Sequence, residues 1–201
     1  PPPPPPEPTP SSPPPPTPPP PGNTQSPVAS GVDWEWGVWR DPNGAIFDLY
    51  VTGNNLDAVS AQNVINGAVY YLSGNSTAGA LVNNGGQNTY LEGPFNLDVA
   101  VGNGIAPTWE GHFDLRTPTY SHSLIFDANG SILTDGTLSG AANSYYLSLP
   151  GAAYGMGDLT VNSLQGALVG PGSISGAQGT FDFEHGPGAP SVHGVFGTDL
   201  K

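Results

Sequence analysis

Seventeen of the chain's 25 prolines fall within residues 1–27, and this segregation divides the sequence into two physically different parts. Proline fixes φ and lacks an N–H, so it cannot join a helix interior or a central strand. Residues 1–21 (PPPPPPEPTPSSPPPPTPPPP) hold little else. They are predicted to form a polyproline II arm, which at ~3.1 Å per residue reaches about 65 Å. Such an arm is either a stiff spacer or a ligand for an aromatic groove on another copy of the chain. In the second case Pro1, Pro6, Pro13, Pro16 and Pro21 mark its docking contacts along its length. Residues 22–31 (GNTQSPVASG) read as a flexible hinge.

From residue 32 to residue 201 the pattern changes to short alternating runs. In Val32–Arg40 (VDWEWGVWR), Trp34, Trp36 and Val38 alternate with Asp33 and Glu35, the period of a half-buried strand. Similar runs follow at 45–52, 66–73, 94–101, 107–116, 120–126, 131–138, 144–149, 158–169, 178–184 and 191–197. Turn formers separate them: Asp41-Pro42-Asn43-Gly44, Asn83-Asn84-Gly85-Gly86, Asp127-Ala128-Asn129-Gly130 and Gly170-Pro171-Gly172. A single helix of one or two turns is predicted over Asn55–Gln62, with Asn55 as its N-cap. This spacing predicts an all-β fold, an antiparallel up-and-down barrel of about eight to ten strands filling residues 32–201. Glycines inside the strands, Gly37, Gly111, Gly166 and Gly194, favour a barrel over a sandwich because tight corners require residues without Cβ.

The runs WGVWR, LYVTG and NGAVYYLSG resemble the β-barrel domains found downstream of FecR-type domains in bacterial envelope proteins. Those barrels are similar to the barrels of transferrin-binding protein B and related surface lipoproteins. The closing segments fit the same pattern: Gly179-Thr180-Phe181-Asp182-Phe183, Gly186-Pro187-Gly188-Ala189 and Val192-His193-Gly194-Val195-Phe196-Gly197. The resemblance spans residues 32–201 and implies a barrel at the bacterial cell surface or outside it. The chain lacks the lipid-bearing cysteine of the surface lipoproteins, and no residue matches a transferrin contact.

Charge narrows the function classes. Three basic residues (Arg40, Arg116 and Lys201) stand against 16 acidic ones, for a net charge of −13. Nucleic acid is excluded as a partner because phosphates need cations to neutralise them, and anionic membrane surfaces are disfavoured for the same reason. The absence of cysteine excludes disulfides, thiolate metal sites and cysteine nucleophiles. No apolar run approaches the ~20 residues of a spanning helix. Pro1 is a poor initiator, so a processed N-terminus is expected.

No catalytic group emerges. The acid pairs Asp33/Glu35 and Asp182/Glu184 lie opposite inward positions and are expected to face solvent. His112, His122, His185 and His193 lack close partners at ligand spacing, although His112 and His122 flank a candidate hairpin whose pairing would bring them together. There is no G-x-S-x-G elbow and no phosphate loop. The stretch from Asp127 to Asp135 superficially matches a calcium loop but lacks the glutamate at its twelfth position. Asp127, Asn129 and Asp135 are therefore weak calcium candidates, and a hairpin turn at Asn129-Gly130 explains the stretch without an ion. Otherwise no cofactor is expected.

Aromatics are more numerous than a small barrel needs inside. Tyr70-Tyr71 and Tyr145-Tyr146 must each send one ring outward, because neighbouring strand residues face opposite sides. Trp34, Trp36, Trp39, Tyr70, Tyr71, Trp109, Tyr145 and Tyr146 are the candidate interface residues, since exposed tyrosine and tryptophan anchor interfaces. Two readings follow. The first is a non-enzymatic structural module that self-associates, each arm docking on a neighbouring barrel and propagating into a filament. The alternative is a surface-displayed barrel that binds a protein or small ligand, with the arm as a spacer.

Overall fold

The structure, a computed structural model, describes residues 22–201. The five arm prolines, Pro1, Pro6, Pro13, Pro16 and Pro21, lie outside the described residues. Three strands come first: β1 (Thr24–Ser30), β2 (Trp34–Arg40) and β3 (Ile46–Gly53), paired in that order as one antiparallel sheet. Residues 22–31 are thus no hinge, since Thr24 pairs with Arg40 and Ser30 with Glu35. Residues 32–201 are likewise not all barrel. After helix α1 (Ala58–Ile65) come β4 (Tyr70–Asn84), β5 (Gln87–Val101), β6 (Thr108–Arg116), β7 (Ser123–Ile132) and β8 (Thr137–Leu149). A short β9 (Ala152–Gly155) leads to β10 (Val161–Val169), β11 (Gly176–Glu184) and β12 (Ser191–Asp199).

Eight of these strands close into an antiparallel barrel, β4-β5-β6-β7-β8-β10-β11-β12, with β12 returning to β4. Closure uses the start of β8, where Thr137 pairs with Ala167 and Gly140 with Leu164, while its far end pairs with β9. A closed barrel has no free sheet edge among these strands, which removes the hazard of edge-to-edge pairing.

The alternating sequence determines what fills the barrel. In β6, Trp109, Gly111, Phe113 and Leu115 are buried, whereas Thr108, Glu110 and His112 are exposed. Phe113 lies at the centre, its ring centroid 4.2 Å from that of Phe126 and 4.5 Å from that of Phe95. Phe181 and Phe196 meet it edge-on. Large rings need small neighbours. A Cβ on Gly194 would lie 2.0 Å from the Phe181 ring, and one on Gly179 would lie 2.5 Å from Phe196. These glycines make room for aromatic packing rather than for turns.

α1 closes one end. Asp57, not Asn55, caps it, accepting from the Val59 and Ser60 backbone N–H groups. Ala61, Ile65 and Leu56 join the barrel's apolar interior, and the Leu56 amide donates to the Leu168 carbonyl.

The β1–β3 sheet lies against the outside of the barrel. Trp34, Trp36, Val38 and Leu49 pack on Leu81, Val169 and Val195, the outward residues of β4, β10 and β12. Trp36 is fully buried and its indole N–H donates to the Thr77 carbonyl at 2.9 Å. The Trp34 indole donates to Asp199 at 2.8 Å. Gly197 lies under the Trp34 ring, where a Cβ would come within 2.3 Å.

Trp36→Ala is therefore expected to lower stability by about 3–5 kcal/mol, the cost of emptying a buried aromatic site. Tyr71→Ala, at a residue 74% exposed, should stay within about 0.5 kcal/mol of wild type in the same urea titration.

Candidate binding surface

The sheet β1–β3 covers one side of the barrel and leaves the outer face of β5–β8 open. Period-2 alternation fills that face with polar side chains, and the strand register aligns them in rows. Asn96, His112, Asp127 and Ser144 form one row across four strands. Asp98, Glu110 and Asn129 form the next, and Tyr71, Ala100 and Thr108 the one after. Two open depressions of about 290 and 260 Å³ run along these rows and share Asp98 and Glu110.

The first row is internally hydrogen-bonded. His112 donates from Nδ1 to Asp127 at 2.6 Å, and the Ser144 hydroxyl donates to the other Asp127 oxygen at 2.7 Å. The His112 hydrogen bond first, and the Ser144 one second, hold the Asp127 carboxyl below the usual carboxylate range. In the next row Ser73 donates to Asp98. The face thus combines fixed carboxylates and amides with an exposed tyrosine ring, a composition that receives hydrogen-bond donors and cations.

The candidate aromatics divide sharply. Tyr70, Tyr71 and Tyr146 are exposed at 48%, 74% and 49%. Trp39 is half-buried, its ring 5.5 Å from that of Tyr50 on the outer side of the β1–β3 sheet. Trp34, Trp36, Trp109 and Tyr145 are buried and cannot serve as surface anchors. Trp34 and Trp36 follow the strand period as expected, but the face they define packs on the barrel. Trp109 and Tyr145 point into the barrel. Burial alone raises the Tyr145 hydroxyl's pKa.

Asn129-Gly130 is no turn. Both residues lie within β7, where Gly130 is needed because a Cβ would come within 2.0 Å of the Ser139 carbonyl oxygen. The reversal comes later, at Leu133–Gly136, with Gly136 at φ 84°. His112 and His122 do not meet. His112 faces Asp127, while His122 contacts Ser121 at 3.0 Å. His193 pairs with Asp182 at 2.7 Å, and His185 donates from Nδ1 to the Pro190 carbonyl. Asp33 accepts from the Ser175 hydroxyl and Glu35 from the Tyr50 hydroxyl, so neither is a free carboxylate. Of the calcium candidates, Asp127 is engaged as above and Asp135 accepts from the Thr137 amide in the turn. Among the described residues, no group of three or more His, Cys, Asp or Glu has metal-holding geometry.

The structure adds Asn96, Asp98, Glu110, His112 and Asn143 to the open face. Asn96, Asp98, Glu110 and His112 were signalled by the alternation of the 94–101 and 107–116 runs, Asn143 lay between runs, and only the register brings them together.

An eight-stranded antiparallel barrel with a three-stranded sheet packed on its outside defines the class. No protein-family model matches the chain, and no curated protein matches it. In fold it is similar to transferrin binding protein B from Haemophilus parasuis Hp5, a vaccine antigen solved as a single-site mutant. That comparison gives a TM-score of 0.58 at 16% identity, covering 89% of this chain and 35% of that one. It is also similar to isotype 1 transferrin binding protein B from serogroup B Neisseria meningitidis. There the TM-score is 0.52 at 18% identity, covering 90% of this chain and 35% of that one. The chain thus spans about a third of the length of these proteins. Among the described residues, no helix is long and apolar enough to cross a membrane.

A depressed folded-state pKa for Asp127 stabilises the fold above the ordinary carboxylate range and loses that contribution as pH falls through the folded value. Asp127→Asn should accordingly lower the unfolding midpoint at about pH 7, and the gap to wild type should close towards about pH 2–3. Parallel denaturation series at the two pH values measure it.

Proposed function

We propose that this chain is a non-enzymatic barrel displayed on the bacterial surface, binding a protein ligand through the open face of β5–β8 and the adjoining Tyr71. The observation that carries the reading is the asymmetry of the barrel. One side is sealed by β1–β3 around Trp34 and Trp36, and the other presents an uninterrupted polar face with an exposed tyrosine beside it. The interior is filled by aromatic rings, so a ligand must engage the outside. With a net charge of −13 and carboxylates at Asp98, Glu110 and Asp127, the complementary surface is a basic patch on a folded protein. The likeness in fold to proteins named for transferrin binding supports a protein ligand and makes transferrin the first candidate. A FecR-type association rests on the WGVWR, LYVTG and NGAVYYLSG runs alone.

The self-associating filament has less support. It drew on eight aromatic anchors, four of which, Trp34, Trp36, Trp109 and Tyr145, the fold buries.

Binding of the full chain to immobilised transferrin and to a panel of other serum proteins tests the reading. Tyr71→Ala is expected to weaken binding to the recognised protein at least about tenfold, as loss of a tyrosine anchor does. Glu110→Gln should weaken it less, and added salt should weaken it further. Binding that both substitutions leave unchanged, or no binding across the panel, would count against this function.

A further inference from the structure

A third depression, of about 550 Å³, lies on the same strands towards their opposite ends, between β5, β6 and the loop that follows β6. Two tyrosines, Tyr90 and Tyr120, and two prolines, Pro94 and Pro118, form its apolar walls. The charged groups between them are satisfied within the wall. Tyr90 donates to Glu92 at 2.9 Å, and Arg116 donates from Nε and Nη2 to Asp114 at 2.6 and 2.8 Å. What remains for a ligand is aromatic and prolyl surface, with Arg116 Nη1 available to a carbonyl. Tyr120 is 72% exposed, and among the described residues it is the single non-glycine at positive φ, 57°. The Arg116 guanidinium lies 5.6 Å from its ring centroid. A ring held outward beside a second tyrosine, with little free charge between them, is the kind of groove that takes polyproline II, whose carbonyls are all unpaired.

The chain itself carries such a ligand, and β1, which follows it, belongs to the sheet whose apolar cluster packs on Tyr90. The described residues begin at Gly22, next to Pro42, and Thr24 pairs with Arg40. Arg40 pairs in turn with Ile46, which packs in the same apolar cluster as Tyr90. Burial first, and the Glu92 hydrogen bond second, raise the Tyr90 hydroxyl's pKa, while the positive charge of Arg40 opposes them. Gly22 sits at φ 95°, a left-handed conformation that turns the chain where the proline-rich segment joins the fold. Twenty-one residues precede that turn, 16 of them proline. We propose that the Tyr90–Tyr120 groove is the docking site of the chain's own proline-rich segment, with residues 13–21 lying across it in cis. The short tether gives an effective concentration of about millimolar, far above what a second copy reaches in dilute solution. Proline has already fixed much of the segment's conformation, so ordering it costs little. This contact uses different side chains from the open face and does not depend on the partner proposed above.

The chain has no cysteine, so Ser12→Cys in the full chain accepts one nitroxide label just beyond the docked segment. Docking predicts loss of amide signal intensity at Gly93, Thr119 and Tyr120, with Gly140 and Asp182 unaffected. The loss should persist on dilution and disappear in the Tyr120→Ala and Gly22→Pro variants, the first altering the groove and the second the turn. Intensity loss that is absent at the groove, or equal across the barrel, would overturn the proposal. Loss that appears on isotope-labelled chains only when they are mixed with separate nitroxide-labelled ones would assign the groove to a second copy and overturn docking in cis.

Discussion

The packing of aromatic rings inside a closed barrel is the constraint from which the rest of the molecule follows. Phe95, Phe113 and Phe126 stack through the centre while Phe181 and Phe196 close on them edge-on. Rings of this size reach native packing density only where the opposing wall has no side chain, which accounts for Gly179 and Gly194. A barrel filled this way has no lumen for a ligand. A ligand would then have to meet the outer wall, at the rows of side chains that alternate with the core.

The outer wall is divided by the β1–β3 sheet. Trp34 and Trp36 each bury an indole while satisfying its N–H, through Asp199 and through the Thr77 carbonyl. A buried indole with a paired N–H combines a large apolar contact with a directional one, so it fixes the position of the sheet as well as holding it. Gly197 extends the contact by letting the Trp34 ring lie directly on β12. The consequence is a one-sided molecule. The side under the sheet is committed to stability, and the side from β5 to β8 is free for interaction.

Much of this was legible in the sequence, because a strand's period is local information. The alternation in VDWEWGVWR assigned Trp34, Trp36 and Val38 to one buried face, and the dense turn residues called for many short antiparallel strands. What the period cannot reveal is which surface covers a buried face. The two tryptophans therefore read as interface candidates as well as core residues. Turn chemistry misled at Asn129-Gly130, where glycine serves close approach to β8 rather than a reversal. That error hid the polar row, because it placed Asp127 in a turn rather than in the strand that pairs with His112. Residues 22–31 misled for a similar reason. Their small and polar side chains suit an edge strand lying against β2 as well as they suit a linker.

Hydroxyl-radical footprinting of the free protein tests this one-sided architecture most directly, since it reads the exposure of each aromatic ring without needing a ligand. The account predicts rapid modification of Tyr71 and Tyr146, with Trp34, Trp36, Trp109 and Tyr145 protected until the protein unfolds. If Trp34 and Trp36 were modified as fast as Tyr71 in the folded protein, the β1–β3 sheet would not seal the barrel, and the division of its outer wall would be wrong.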